Sequence, residues 1–239
     1  MFRHILAGAV ASVALVGAVQ ASTLSGVFDV TVVKLTNVNS SESEARFENA
    51  QDAFDKATGE PGADFGGDDT TAIVGRFTFD GALDFGTSDG SDATTIQQWL
   101  DTSVGSSTTW IGDDLGGTQL SKDGIGNGTA TTSFFYFELV GGLGAGDFTV
   151  MHDDGFAIFN GPESGENRVG GTNGPTVKVT TEVLGFEGGV FDLLYVATNG
   201  DPSVLNVNYD PSVIPVPASL PLLLAGMGGF AFMRRRQKA

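Results

Sequence analysis

Segments in which apolar and polar residues alternate with a period of two recur through the middle of this 239-residue chain. In the run Phe28–Val32, the Phe and Val side chains point to one face, and Asp29 and Thr31 point to the other. Successive side chains of a β-strand point to opposite faces of its sheet, so this alternation predicts half-buried strands. Further runs of this kind cover residues 76–80, 148–150, 156–158, 177–181, 191–195 and 205–209.

One run is apolar on both faces. Ser133–Val140 contains Phe134, Phe135, Phe137 and Leu139, which predicts a strand in the centre of a sheet. The chain then has at least seven predicted strands without regular alternation with helices, which disfavours a parallel α/β sheet. The predicted fold class is therefore all-β: an antiparallel, jelly-roll-like β-sandwich with one or two short helices.

The two helices are predicted from spacing and from end signals. Ser41 and Glu44 form a capping box, and Gly59 with Pro61 ends the first helix. The apolar residues between them recur at helical spacing, namely Phe47, Ala50, Phe54 and Ala57. A second, short helix is predicted over Thr95–Leu100, with Ile96, Trp99 and Leu100 facing the core. The Asn199-Gly200 dipeptide between two strand runs predicts a hairpin turn.

The first 21 residues have the parts of a secretory signal peptide. Arg3 gives a positive start, Ile5–Val19 is a short apolar run, and the small residue Ala21 precedes the predicted cleavage point. The alternatives are a buried N-terminal helix or a membrane anchor, but the run is short for a membrane span. The predicted organisation is a signal peptide (1–21), an acidic β-sandwich domain (22–210) and a C-terminal sorting signal (211–239).

The last 26 residues contain three elements in a fixed order. A proline motif comes first: Ile214, Pro215, Val216, Pro217 and Ala218. An apolar stretch of 15 residues, Ser219–Met233, follows it and predicts a hydrophobic helix. The basic residues Arg234, Arg235 and Arg236 then act as a membrane stop, because such cations are retained on the cytoplasmic side.

This tail resembles the PEP-CTERM type of sorting signal, in its VPxPA variety, with Ile214 where Val is usual. The resemblance implies that an exosortase-like transpeptidase in the membrane cuts near the proline motif. Signal peptidase would be the other processing partner, and residues 219–233 would hold the chain transiently in the inner membrane. The implied destination is the cell envelope, outer surface or extracellular matrix of a Gram-negative-type bacterium. A plain C-terminal anchor is the alternative.

The charge of the chain excludes several classes of function. Five of its 12 Lys and Arg residues lie in the terminal segments, while all 29 acidic residues lie between Asp29 and Asp210, so the core carries a net charge of −22. This balance disfavours nucleic-acid binding. The lack of Cys excludes a disulfide scaffold, a Cys-ligated metal site and a Cys nucleophile. The acidity favours solubility outside the cell and also affinity for divalent cations.

Residues 147–161 read DFTVMHDDGFAIFNG, in which two predicted strands flank a tight Asp153-Asp154-Gly155 turn. With the later strands around Tyr195, this order resembles a β-domain found at the N-terminus of anthrax protective antigen, in yeast flocculins and in bacterial glycan-associated proteins. The resemblance covers residues 130–210 and implies a sandwich-like fold. In the sugar-binding members, paired Asp residues at this turn hold a Ca²⁺ ion that contacts sugar hydroxyls, which makes Asp153 and Asp154 the candidate metal ligands.

A structural role for this turn is the alternative. The Asp side chains would then cap the turn by accepting from backbone N–H groups, and Gly155 would adopt a positive φ. A Ca²⁺ site needs about six to eight oxygen ligands, and Asn160, Asp113 and Asp114 are the further candidates. The acidic loops at 67–69, 89–92 and 123–128 do not match an EF-hand and are predicted to be solvated turns.

No catalytic arrangement is predicted. His152 is the one His outside the signal segment, and its position before a turn predicts either a structural role or an exposed side chain. Ser88 lies in a G-x-S-x-G pattern at Gly86–Gly90, but the strand–turn–helix context of a nucleophile elbow is missing. A carboxylate pair for glycoside hydrolysis cannot be selected among so many acids without spatial information.

The predicted function is that of an exported, exosortase-sorted surface or matrix protein without catalytic activity. The alternative is a Ca²⁺-dependent, adhesin-like module that binds surface glycans through Asp153 and Asp154. A secreted hydrolase is the third hypothesis.

Overall fold

The structure is a computed structural model, which describes residues 21–39, 41–60, 65, 70–87, 93–123, 130–161 and 167–212. The predicted signal peptide before Ala21, the proline motif, the apolar stretch at 219–233 and the arginine cluster lie outside the described residues. Ser88 and the acidic loops at 67–69 and 89–92 also lie outside them. One compact unit extends from Gln20 to Ser212.

The described residues form twelve strands and two helices. The strands are β1 Ser22–Thr23, β2 Ser25–Thr36, β3 Thr71–Ala82, β4 Asp84–Gly86, β5 Ser107–Ile111, β6 Thr131–Leu143, β7 Gly146–Asp153, β8 Phe156–Asn160, β9 Arg168–Thr172, β10 Val179–Phe186, β11 Gly189–Ala197 and β12 Val204–Pro211. The helices are α1 Phe47–Thr58 and α2 Ile96–Leu100. Within the described part of the chain, no helix is both long enough and apolar enough to span a membrane.

The strands form two antiparallel sheets. The seven-stranded sheet has the order β5-β3-β2-β6-β11-β8-β9. The five-stranded sheet has the order β1-β12-β7-β10, with β4 also paired to β12. The predicted all-β sandwich is therefore confirmed. Strand β6 is the middle strand of the larger sheet, in agreement with the run of apolar residues on both of its faces.

The main core lies between the two sheets. Phe28, Val30 and Val32 of β2 are buried, while Asp29 between them is exposed, as their alternation predicts. Side chains from both sheets share one cluster, in which Phe137 of β6 and Phe148 of β7 are also buried. Burying a Phe or Val side chain contributes about 1.5–3 kcal/mol, so this apolar layer is what holds the sheets together.

Helix α1 lies on the outer face of the seven-stranded sheet. Its Phe47 ring packs edge-on against Phe159 of β8, with 6.3 Å between the ring centroids. The predicted capping box is wrong, because the N-cap residue is Arg46 and it makes no side-chain capping bond. The helix ends as predicted at Gly59, whose left-handed conformation (φ 75°) is one that glycine adopts readily.

Helix α2 lies at the edge of the main core. Thr95 and Gln98 form a capping box at its start. Ile96, Trp99 and Leu100 are fully buried, which confirms the predicted core-facing side.

The predicted hairpin at Asn199-Gly200 is wrong. Strand β11 before this dipeptide belongs to the seven-stranded sheet, and β12 after it belongs to the five-stranded sheet. The Asp153-Asp154-Gly155 segment likewise connects β7 of the small sheet to β8 of the large one. Both segments are therefore crossovers between the layers of the sandwich.

Candidate functional site

The two crossovers meet at one end of the sandwich. The Thr198 backbone N–H donates to the Asp154 carboxylate (N···Oδ2 2.8 Å). The Val196 N–H donates to the Gly155 carbonyl oxygen (3.0 Å). These bonds bring the predicted metal ligands beside a second loop, residues 198–203, that the sequence analysis had assigned to a hairpin.

Gly155 allows the first crossover to lie deep in the molecule. A Cβ atom at this position would lie 2.9 Å from the Ala45 Cβ, and closer still to the Asn173 carbonyl oxygen. Gly155 is not among the glycines with positive φ, so the predicted left-handed turn is wrong. Glycine is needed at position 155 because backbone atoms from a segment distant in sequence lie where a side chain would begin.

Asp153 and Asp154 open onto a cavity of about 660 Å³. Its walls are the two Asp residues, the segment Pro175–Lys178 and the crossover Thr198–Pro202. Three acidic residues therefore belong to its lining, Asp153, Asp154 and Asp201, together with Lys178. The Asp153–Asp154 peptide bond is cis.

The Asp154 carboxylate is deeply buried. Only 1% of Asp154 and 6% of Asp153 is exposed. Burial raises the pKa of Asp154 to about 8, and the neighbouring Asp153 charge acts in the same direction. Hydrogen bonds from the backbone of Thr198 and Thr176 and from the Asn199 side chain oppose this shift. A bound cation would favour the charged form of this group.

His152 connects the backbone of the site to strand β10 through its two ring nitrogens. It is fully buried, with its Nδ1 atom 2.5 Å from the Asp154 carbonyl oxygen and its Nε2 atom 2.8 Å from Thr181 Oγ1. Since a carbonyl only accepts, Nδ1 donates to it, and Nε2 accepts from the Thr181 hydroxyl in the neutral ring. Burial lowers the pKa of His152 and keeps the ring neutral. This geometry agrees with the predicted structural role.

The further ligands suggested from sequence do not line this cavity. Asn160 ends β8, where its side-chain amide faces the carbonyl oxygens of Gly188 and Val190. Asp113 and Asp114 are exposed after β5, and Asp114 accepts from the Gly116 N–H (2.7 Å). Asn199 and Asp201, which the sequence does not single out as ligands, line the cavity instead. They belong to an oxygen-rich Asn-Gly-Asp run beside a Pro, a pattern that by itself predicts only a turn.

The carboxylates of the described residues do not form a complete metal centre by themselves. No group of three or more His, Asp or Glu side chains in the described ranges has the arrangement of a metal site. A cation at Asp153 and Asp154 would therefore also need oxygens from amides, backbone carbonyls, water or a ligand, which suits Ca²⁺ better than metals that prefer nitrogen or sulfur.

Comparisons with known proteins give two similar structures. No family model and no curated protein matches the sequence. The PA14 domain of the MpAFP antifreeze protein is 19% identical, with 82% of this chain and 88% of that chain covered and a TM-score of 0.43. The PA14 sugar-binding domain from an RTX adhesin is 17% identical, with 75% and 88% covered and a TM-score of 0.40. At this level of similarity, neither assigns a function to this chain.

Proposed function

We propose that this protein is an exported carbohydrate-binding domain in which Asp153 and Asp154 hold a Ca²⁺ ion that contacts sugar hydroxyls. The observation that carries the proposal is the geometry of the cavity. Two adjacent, almost fully buried Asp residues line about 660 Å³ of space where two crossovers meet. A structural turn needs no such cavity beside its carboxylates.

The donor set fits a hard cation. Asp153 and Asp154 would supply carboxylate oxygens, and the 198–202 crossover adds the Asn199 amide oxygen and backbone carbonyls. The Asp201 carboxylate accepts from the Thr94 hydroxyl (2.9 Å) instead. Ca²⁺ accepts about six to eight oxygen ligands in flexible geometry, so such a mixed set suits it. The raised pKa of Asp154 is consistent with a carboxylate that lacks a compensating positive charge.

A carboxylate that only capped its own turn would look different at Asp154. In that case the carboxylate would accept from N–H groups of its own turn. Here its Oδ2 atom accepts from Thr198, 44 residues further along the chain. The carboxylate therefore joins two crossovers, and both of them would change if a cation bound between them.

When bound, Ca²⁺ would supply open coordination positions for vicinal sugar hydroxyls. The residues of this chain would determine which sugars reach it. Val177 at the cavity wall is 83% exposed and offers an apolar contact for the C–H face of a sugar ring. Lys178 beside it offers a donor for a ring hydroxyl or carboxylate.

Thermal unfolding in Ca²⁺ and in EDTA tests the metal site. Ca²⁺ at 100 times its dissociation constant would add about 2.7 kcal/mol of stability, or roughly 5–10 °C for a domain of this size. We expect this shift for the native chain and its loss in Asp153→Ala. Asp113→Ala is the matched control, because Asp113 also lies in an Asp-Asp pair but is exposed.

A glycan array in Ca²⁺ then tests the ligand class. We expect binding that EDTA and Asp153→Ala both abolish and that Asp113→Ala leaves intact. The absence of a Ca²⁺ shift in the native chain at millimolar concentration would refute the metal site and, with it, this mode of sugar binding.

We also propose, from the two ends of the sequence, that the chain is an exosortase-sorted envelope or matrix protein. The signal-peptide pattern ending at Ala21 and the order of proline motif, apolar stretch and Arg234–Arg236 support this. Mass spectrometry of the exported protein should find an N-terminus at Ser22 and a C-terminus near the proline motif. Replacing Pro215 and Pro217 by Ala should leave the chain uncut in the membrane fraction.

A further inference from the structure

A second concave surface lies on the outer face of the seven-stranded sheet, beside helix α1. Its volume is about 670 Å³. It shares none of its lining residues with the Asp153–Asp154 cavity. Helix α1 covers only part of this sheet face. The groove lies beside the helix, over the strands that the helix does not cover.

The floor of the groove is built from three neighbouring strands. Thr31 of β2 lies directly opposite Arg76 of β3 on one side and Tyr136 of β6 on the other. One step along the same face, Asp29 of β2 lies directly opposite Glu138 of β6. Directly opposite residues have Cβ atoms about 4.5–5.5 Å apart, so both carboxylates are within reach of one small ligand.

The wall of the groove is the near side of helix α1. Phe47, Gln51 and Phe54 face the groove and are each only partly buried. The guanidinium carbon of Arg76 lies 5.8 Å from the centre of the Phe54 ring. This cation–π contact holds the Arg76 side chain against the wall, with N–H groups left to donate into the groove.

The composition of the lining selects the chemistry of the ligand. Half-buried rings of Phe47, Phe54 and Tyr136 suit an apolar surface, whereas Asp29, Glu138 and Arg76 suit hydroxyl groups that both donate and accept. A lipid chain would take these three charged side chains out of water without offering them any hydrogen-bonding group. A phosphate or sulfate group would meet two carboxylates. A sugar ring has both required properties, an apolar C–H face and a rim of hydroxyls.

We propose that this groove is a second, metal-independent binding site for a saccharide. The sugar ring stacks on the aromatic wall of α1, and its hydroxyls donate to Asp29 and Glu138 and accept from Arg76. This inference goes beyond the proposed function, since neither Asp153, Asp154 nor a cation takes part in it.

A test in EDTA separates the two sites. The full chain is screened by saturation-transfer NMR against defined cello-, chito-, xylo- and manno-oligosaccharides, and calorimetry gives the affinity of each one that binds. We expect at least one to bind in EDTA, both to the native chain and to Asp153→Ala. Hydrogen bonds to charged groups are stronger than those to neutral ones. Glu138→Gln and Arg76→Gln should therefore each weaken saccharide binding about tenfold.

Asp80→Asn is the matched control, because Asp80 is an exposed carboxylate on β3 outside the groove. Circular dichroism should show that Glu138→Gln, Arg76→Gln and Asp80→Asn keep the native fold, as expected for exposed positions. No binding in EDTA, or binding that Glu138→Gln and Arg76→Gln leave unchanged, would overturn the proposal. A dimer that Arg76→Gln dissociates in light scattering would also overturn it, because the groove would then be a protein interface. Loss of Ca²⁺-dependent binding alone would count only against the Asp153–Asp154 site.

Discussion

At the scale of single residues, the chemistry of the candidate site is concentrated in Asp154. Its carboxylate is buried, accepts from the Thr198 N–H of the other crossover and lies beside a second carboxylate, that of Asp153. A buried carboxylate of this kind makes folding and cation binding depend on pH.

The stability of the metal-free protein should fall as pH rises from about 4 to about 8. An unfolded Asp titrates near its ordinary pKa of 3.8, whereas the folded chain holds the Asp154 proton up to a pKa of about 8. In this window the folded state binds more protons than the unfolded state, so the free energy of unfolding decreases with pH. Urea unfolding in EDTA at several pH values measures this slope.

Asp154→Asn is the control for this prediction, because its side chain is neutral at every pH and can still accept from Thr198. The difference between the two proteins in the slope of the free energy of unfolding against pH gives the contribution of Asp154. With saturating Ca²⁺, the native slope should become flatter or change sign, since the cation favours the ionised form. Equal slopes for the two proteins in EDTA would show that Asp154 has no raised pKa.

At the scale of elements, the region around helix α2 fixes the second crossover. The Trp99 Nε1–H donates to the Ser203 carbonyl oxygen (3.0 Å), and the Thr94 hydroxyl donates to Asp201 (2.9 Å). Ser121 donates to the Gly200 carbonyl oxygen (3.0 Å). The Trp99 ring also stacks on Tyr195 of β11, with 5.3 Å between the ring centroids. The cavity wall is thus held by a helix distant from it in sequence.

Trp99→Ala should destabilise the protein by about 3–5 kcal/mol, because it leaves a large cavity and removes one of the two hydrogen bonds that the Ser203 carbonyl oxygen accepts. Urea unfolding measures this loss. If the fold survives, the Ca²⁺-induced stabilisation should also become smaller, since the 198–203 crossover loses its hydrogen bond to the Trp99 indole. Trp110→Ala is the comparison, because Trp110 lies on edge strand β5 and is only partly buried. An equal loss for the two variants would show that Trp99 has no special role.

At the scale of the whole molecule, the dominant property is the net charge of −22 on residues 22–210. Within the described residues, the ion pair between Arg46 and Glu44 is local to one loop and offsets little of this charge. Self-repulsion of this size lowers the stability of the compact state and concentrates cations near the surface. General screening by salt therefore acts on the whole sandwich, separately from specific binding at Asp153 and Asp154.

Monovalent salt should stabilise the protein in EDTA. Raising NaCl from about 20 mM to about 300 mM shortens the screening length, and we expect a gain of about 1 kcal/mol, or roughly 2–4 °C. Asp154→Asn should respond to NaCl like the native chain but lack the additional Ca²⁺ shift. An equal Ca²⁺ shift in Asp154→Asn would mean that the ion acts only by screening.

The sequence predicted the buried faces of most of its marked runs, because alternation depends on local geometry. The run at 177–181 is the exception: β10 begins only at Val179, and Val177 and Val179 are 83% and 40% exposed. Alternation along β2 determines that Phe28 and Asp29 point in opposite directions, whatever the neighbouring strands are. The same holds for Ile96, Trp99 and Leu100 of α2, whose spacing places them on one side of a helix. The metal-binding role of Asp153 and Asp154 remains a prediction, as does the role of the terminal sorting signals.

The sequence by itself determined an all-β chain with an apolar layer, an acidic surface and an Asp-Asp-Gly segment between two strands. Only the tertiary structure decided that this segment and Asn199-Gly200 are crossovers and that they meet. A turn dipeptide favours a local chain reversal, but it does not determine which sheet the next strand joins. That choice depends on burying both sheets against each other, and it is this long-range burial that brings Thr198 to Asp154. Asp29 and Glu138 meet because β2 and β6, which are distant in sequence, pair in one sheet.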